Sequence, residues 1–235
     1  MIRRILIIRG FICTSEFVRS WPEPYGYLPD GSAQAEAKAE DQIQPEEEEL
    51  TFREAIRKRS FLLLNVVETI RMATTIAVVT HVMPYLGSLG IPRHQAGLVA
   101  GAISLSSILG RFGFGWLGDI FEKRLVMAWA FLFLGAGMFA FCYVHNPWIL
   151  VLFLFLFPVG FGGGMVLRGA ILREYFGRQS FGKLIGITLG FAAIGEAMGP
   201  AVAAWTYDTL GAYQLVWFAL SAAVGFAIVL IWKLK

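Results

Sequence analysis

The sequence predicts an all-α membrane protein with six transmembrane helices. Three observations carry that reading. Six long apolar runs follow residue 60, hydrophobic residues make up 57% of the chain against 16% charged, and the turns between runs carry charge only on alternate sides. A soluble domain averages about 45–50% apolar and about 25% charged residues, whereas a bilayer-spanning helix needs about 20 mostly apolar residues. The runs are Phe61–Leu86, Ala96–Leu117, Leu125–Val144, Trp148–Leu172, Phe181–Trp205 and Tyr213–Trp232. Six such runs in succession argue against the buried helices of a soluble protein.

Orientation follows from the basic residues. Arg53, Arg57, Lys58 and Arg59 precede the first run, Lys123 and Arg124 follow the second, and Arg173, Arg178 and Lys183 follow the fourth. Lys233 and Lys235 close the chain, and the opposite turns hold only Arg93. By the positive-inside rule both ends face the cytoplasm, and an even number of spans, which puts both ends on one side, agrees with that. The net charge of +3 adds little. Basic patches so placed meet anionic membrane lipid, and nothing points to nucleic acid. Cys13 and Cys142 offer neither a disulfide framework nor metal spacing. His81, His94 and His145 have no metal spacing either, so no metal or cofactor is expected.

Residues 1–19 join arginines to a short apolar stretch that Arg9 interrupts. It reads as a remnant of a preceding helix or as a signal peptide, without a clear small-residue cleavage site. Residues 20–60 form a linker. From Ser20 to Glu49 the composition turns to Pro, Gly, Ala, Gln and Glu, too polar to bury a core. Thr51 and Glu54 then have capping-box spacing, which predicts a short interfacial helix. Residues 61–235 form the six-helix domain.

The turn between the second and third runs reads Gly115-x-x-x-Asp119-x-x-x-Lys123-Arg124. It resembles the cytoplasmic signature of the major facilitator superfamily, found between helices 2 and 3 and again, weaker, between helices 8 and 9. The linker from Arg19 to Gly31 and the segment Phe161–Gly186 are similar to the monocarboxylate transporter and oxalate–formate antiporter branch. The resemblance implies half of a major facilitator superfamily fold, helices 7 to 12, in a bacterial inner (plasma) membrane. It also implies symport or antiport of a small anionic substrate. The second signature glycine is Glu122 here, so the turn is expected to differ. The first six helices have no counterpart beyond Ile5–Ile12. Because the family places substrate between two six-helix halves, a separate N-terminal half or a second copy is the expected partner.

Ionisable groups at membrane depth cost about 2.5–3.5 kcal/mol each on insertion scales and usually face a cavity or a partner. Arg111 lies four residues before Gly115, on a face with Gly97, Gly101, Ser104 and Ile108. A guanidinium meets a carboxylate with two hydrogen bonds and keeps its charge. In the transporters it resembles, this position on helix 8 binds the substrate carboxylate. Ser107 stands where an acidic residue belongs to that pattern. Arg111 is therefore read as a substrate contact, with bracing of the signature loop as the alternative.

Glu68 and Arg71 have the spacing to pair along one helix, in a stripe with Asn65, Met72 and Thr75 that is expected to line a cavity. Glu68 is a candidate for proton coupling and Arg71 for substrate binding, against a purely local ion pair. Glu196, near Gly195, Gly199 and Pro200, reads as an isolated buried carboxyl and a second candidate proton carrier. Pairing with Arg71, Arg111 or Arg168 is its alternative. Arg168 reads as an interhelix or headgroup contact, with substrate binding behind it. Asp119, Lys123 and Arg124 read as a conformational latch, against a plain surface turn. Glycine repeats at 182, 186 and 190 and around residues 160–164 predict close helix packing, and Pro84, Pro158 and Pro200 possible kinks. No nucleophile–base pair is present at membrane depth, so an enzyme is not indicated. The reading is secondary transport of a small organic anion by alternating access. A truncated, non-transporting chain or an interaction subunit is the rival.

Overall fold

The computed structural model describes residues 52–177 and 180–234. The N-terminal segment, most of the linker, Thr51 of the capping box, Cys13, Arg178 and Lys235 lie outside the described residues. A short helix α1 (Phe52–Arg57) leads into α2 (Arg59–Ser88), α3 (Arg93–Ile120), α4 (Lys123–Phe141), α5 (Pro147–Phe176), α6 (Phe181–Leu210) and α7 (Gln214–Trp232). The last six are long and apolar enough to cross a membrane. Each coincides with one apolar run, and the boundaries differ only by a few residues.

Polar side chains do not interrupt these helices because they bond inward to the backbone. The hydroxyls of Thr69, Thr74 and Thr75 donate to carbonyls four residues earlier at 2.8, 2.9 and 2.8 Å, and Asn65 Nδ2 donates to Phe61 at 2.9 Å. In an apolar surround this removes the penalty of an unmet donor. Ends are set locally. Asn146 caps α5 by accepting from the Trp148 amide at 3.0 Å, with Pro147 at the first position, where a missing N–H is harmless. Gly211 ends α6 in the left-handed region at φ 68°, which a side chain disfavours. Pro84, Pro158 and Pro200 all sit within helices.

The packing repeats. The α3–α5 and α2–α6 pairs lie close together, and α4 packs on α5 as α7 packs on α2. A step of three helices along the chain turns one set of contacts into the other, and the lengths run 30, 28, 19 and then 30, 30, 19 residues. Because three is odd, the two triplets run in opposite directions, an inverted repeat of the kind found in transporters. Glycine makes both close pairs possible. A methyl at Gly110 or Gly162 would strike the carbonyl of Val159 or Ser107, and one at Gly195 or Gly199 that of Thr69 or Ala73.

One end of the bundle is an aromatic knot. Trp217 is fully buried among Tyr85, Phe141 and Tyr213, Phe141 stacks on Phe153 at 4.5 Å, and the Tyr85 hydroxyl donates to the Phe141 carbonyl at 3.2 Å. His81 ties α6 to this knot. Its Nε2 lies 3.1 Å from the Pro200 carbonyl, which can only accept, so Nε2 donates there, and Nδ1 lies 3.3 Å from the Tyr213 hydroxyl. Outward, large apolar side chains such as Phe112 (78% exposed) and Trp148 (81%) suit a lipid surround.

Candidate functional site

Three charged side chains meet inside the bundle. Glu68 and Arg71 on α2 pair as their spacing predicts: Arg71 Nη2 donates to Glu68 Oε1 at 2.5 Å and Nε to Oε2 at 2.9 Å. Arg168 of α5 joins them, its Nη1 donating to Glu68 Oε1 at 2.6 Å. Glu68 is completely buried and Arg71 is 1% exposed, while Arg168 keeps 13% of its side chain exposed. The Arg71 guanidinium also lies over the Phe161 ring at 5.6 Å. Gly164 makes room for it, since a methyl there would come within 2.8 Å of Arg71 Cδ.

The cluster has two fixed positive charges for one carboxylate. Arg71 is held by a two-point fork, the stronger geometry. Arg168 gives Glu68 a single bond, and its Nε is buried without an acceptor. Leaving such a donor unmet costs about 1–3 kcal/mol, more for a charged group.

The structure separates the other candidates from this cluster. Arg111 is exposed on α3, on the face with Gly101, Ser104 and Ile108. Among the described residues no carboxylate pairs with it. It lies nine residues from the end of α3 at Ile120, Arg168 eight from the end of α5 at Phe176, and Glu68 nine from the start of α2 at Arg59. At 1.5 Å per residue each is about 12–14 Å from the same end of the bundle. Ser107 is buried against Gly162 of α5, so the position of the family's acidic residue faces packing here.

Two expectations are corrected. Glu196 is not a buried carboxyl. Gly195 beside it is buried against α2, and a step of about 100° around the helix leaves Glu196 exposed, 15 residues from the start of α6. Nor do Asn65, Glu68 and Thr75 form an open lining, because all three are buried between helices and only Met72 is partly exposed.

At the signature turn Asp119 is exposed. Lys123 pairs with Glu174 of α5 at 2.6 Å, a partner that the sequence reading missed because nothing local links the two. Arg124 Nε pairs with Glu122 at 3.0 Å and its Nη1 donates to the Leu234 carbonyl at 2.9 Å. Glu122 has φ −54° and ψ 119°, a conformation that needs no glycine, so the turn tolerates the replacement. Nearby, a cavity of about 400 Å³ is lined by Gly169, Ala170, Arg173 and Phe181.

Comparison with known proteins agrees with this architecture. Monocarboxylate transporter 12 of Rattus norvegicus is 26% identical over 156 residues, 64% of this chain and 32% of that protein. The 4-hydroxybenzoate transporter PcaK of Acinetobacter baylyi is 27% identical over 126 residues, 54% of this chain and 28% of that one. The chain thus spans about a third of the length of the curated relatives it matches. Among solved structures, a peptide transporter POT aligns with a TM-score of 0.66 at 16% identity, over 74% of this chain and 37% of that one. The Escherichia coli fucose:proton symporter FucP aligns at 0.63 and 13%, over 77% and 44%. These likenesses show the fold. Its relatives are transporters rather than enzymes. The sequence model of the Major Facilitator Superfamily matches residues 63–235, almost the whole six-helix bundle, and the chain is a membrane-embedded member of that superfamily, resembling its monocarboxylate transporter branch.

Proposed function

We propose that this chain is one six-helix half of a secondary transporter that moves a small organic anion, a carboxylate, by alternating access. The observation that carries the reading is an excess of guanidinium at membrane depth. Two arginines share one buried carboxylate, and Arg111 stands exposed at a similar distance from the helix ends. Uncompensated cations are costly there unless an anion meets them. The relatives named above for monocarboxylates and 4-hydroxybenzoate support the same substrate class.

In this reading Arg111 holds the carboxylate, with Arg71 and Arg168 adding positive potential behind it. Glu68, buried between Arg71 and Arg168, carries the coupled proton. Gly115, Asp119, Lys123 and Arg124 form the latch, with Glu174 as a partner that one state releases. A second six-helix unit, an N-terminal half or another copy, covers the open faces of α3 and α6. Gly97, Gly101, Gly113, Gly182, Gly186 and Gly190 support that role, since a methyl at any of them meets nothing within 4 Å. Both termini lie in the cytoplasm of a bacterial inner membrane, the side to which the basic turns point.

The test is uptake of labelled benzoate and lactate into proteoliposomes holding the active assembly, for wild type, Arg111→Ala and Arg111→Lys. Loss of uptake in the alanine variant with partial recovery in the lysine variant is expected. Uptake equal to wild type in both would remove the site assignment. An assembly that dimerises and moves no anion would favour an interaction subunit instead.

A further inference from the structure

We infer that the bundle carries two mouth subsites for its anionic solute, one at each end, with Arg93 and Arg173 as the capturing cations. The inference rests on the anion-transport reading and adds the places where the solute is met before and after the Arg111 position.

The inverted repeat supplies the first argument. A cavity of about 380 Å³ is lined by Met83, Pro84 and Gly87 near the end of α2, by Ile91 in the turn and by Arg93, the first residue of α3. The cavity of about 400 Å³ described above is lined by Gly169, Ala170 and Arg173 near the end of α5 and by Phe181, the first residue of α6. In the packing repeat α2 corresponds to α5 and α3 to α6, so the two cavities are one kind of cleft built twice. They open at opposite ends of the bundle, because Phe61 at the start of α2 meets Phe176 at the end of α5, with ring centroids 5.7 Å apart. By the orientation proposed above, the Arg93 cleft faces outward and the Arg173 cleft faces the cytoplasm.

Charge and access are the second argument. Each arginine lines its own cleft and is exposed, and among the described residues no carboxylate pairs with either. A methyl on Gly87 or Gly169 would meet nothing within 4 Å, so both walls are open. The apolar neighbours suit the carbon body of an organic anion, while a guanidinium fork takes its carboxylate. Fixed charge in a low-dielectric cleft concentrates counter-ions, and both volumes lie within the range of small-molecule sites, about 300–1,000 Å³. Membrane orientation accounts for basic residues on the cytoplasmic side. It does not account for Arg93, which stands against that bias.

The third is register. Arg93 and Arg111 are 18 residues apart on α3, five whole turns at 3.6 residues per turn, so both project from one face. Gly97, Gly101 and Ser104 lie between them on that face, and a methyl on either glycine meets nothing within 4 Å. An open strip of small residues thus leads from the outer cleft to Arg111.

The experiment is initial uptake of labelled benzoate by right-side-out proteoliposomes holding the active assembly, in a Cys13→Ser, Cys142→Ala background. Arg93→Cys and Arg173→Cys should each lower kcat/KM about tenfold, the low end of electrostatic capture, with melting unchanged. The kcat/KM of the background chain should fall as salt rises, and that dependence should weaken in both variants. A membrane-impermeant methanethiosulfonate that adds a trimethylammonium group should restore Arg93→Cys when added outside and Arg173→Cys when sealed inside. A neutral reagent of the same size should restore neither. Full kcat/KM in both variants, rescue by the neutral reagent, or rescue of each from the other side overturns the inference. Uptake lost in Arg111→Gln yet untouched in both cleft variants would leave the transport reading standing and end this one. An assembly that moves no carboxylate would end both.

Discussion

Arg168 and Glu68 lie 100 positions apart in the chain and meet at 2.6 Å, joining α5 to α2 across the middle of the bundle. In the packing repeat α2 and α5 are equivalent, the two helices that the others lie against. Their link thus ties the two three-helix repeats to each other through charge, where most other contacts are apolar.

Removing one partner from a buried ionic group strands the other. Arg71→Met should destabilise the chain by about 3–5 kcal/mol, because Glu68 loses its two-point partner in a buried place. Arg111→Met, on an exposed face, should stay within about 0.5 kcal/mol. Equilibrium unfolding in mixed detergent would compare them, and equal losses would contradict the burial seen here.

The close helix pairs depend on absent side chains. Gly162→Ala and Gly199→Ala drive a methyl into a neighbouring backbone carbonyl and should cost about 1–3 kcal/mol each. Gly186→Ala meets no neighbour and should be neutral or slightly stabilising, since alanine is the better helix former by about 1 kcal/mol. Thermal unfolding of the three variants checks the order.

The Lys123–Glu174 pair is about a third exposed on each side, so its contribution to stability is at most about 1 kcal/mol. Its proposed role as a latch partner predicts a different signature. Lys123→Glu and Glu174→Lys should each slow uptake in the active assembly with little change in melting, and the double exchange should restore it. Slow uptake in the double exchange would argue for a plain surface contact.

Cys142, just past the end of α4, is buried and its thiol donates to the Met138 carbonyl at 3.6 Å. Burial pushes its pKa up from 9.0 to about 11. The folded state thus favours the neutral thiol. The resulting stabilisation is present below pH 9 and is lost as the pH rises toward 11. In a Cys13→Ser background, maleimide labelling at neutral pH should be slow in the folded chain and rapid in denaturant. Fast labelling of the folded chain would refute this.

The six spans could be read in advance because a lipid surround imposes length and apolarity on each helix separately. The Glu68–Arg71 pair was legible for a similar reason, since spacing of three along one helix decides it. Arg168 and Glu174 found their partners through tertiary packing, about which local spacing says nothing. Glu196 was misread because the small residues beside it do mark a buried contact, but the contact belongs to Gly195 and Gly199, on another side of α6. The linker's lack of large apolar residues was clear from composition, and the first residues stayed open between two readings because a short basic-apolar stretch fits both.

The aromatic knot around Trp217 has a mechanical consequence. It clamps the neighbouring ends of α2, α4, α5 and α7 with interlocked rings, while at the opposite end α4 and α5 share a partly solvated ion pair worth little and α2 meets α5 through the single Phe61–Phe176 ring pair. Under load the bundle should therefore splay from its basic rim and pivot about its ring-filled base, like a fan held at the rivet.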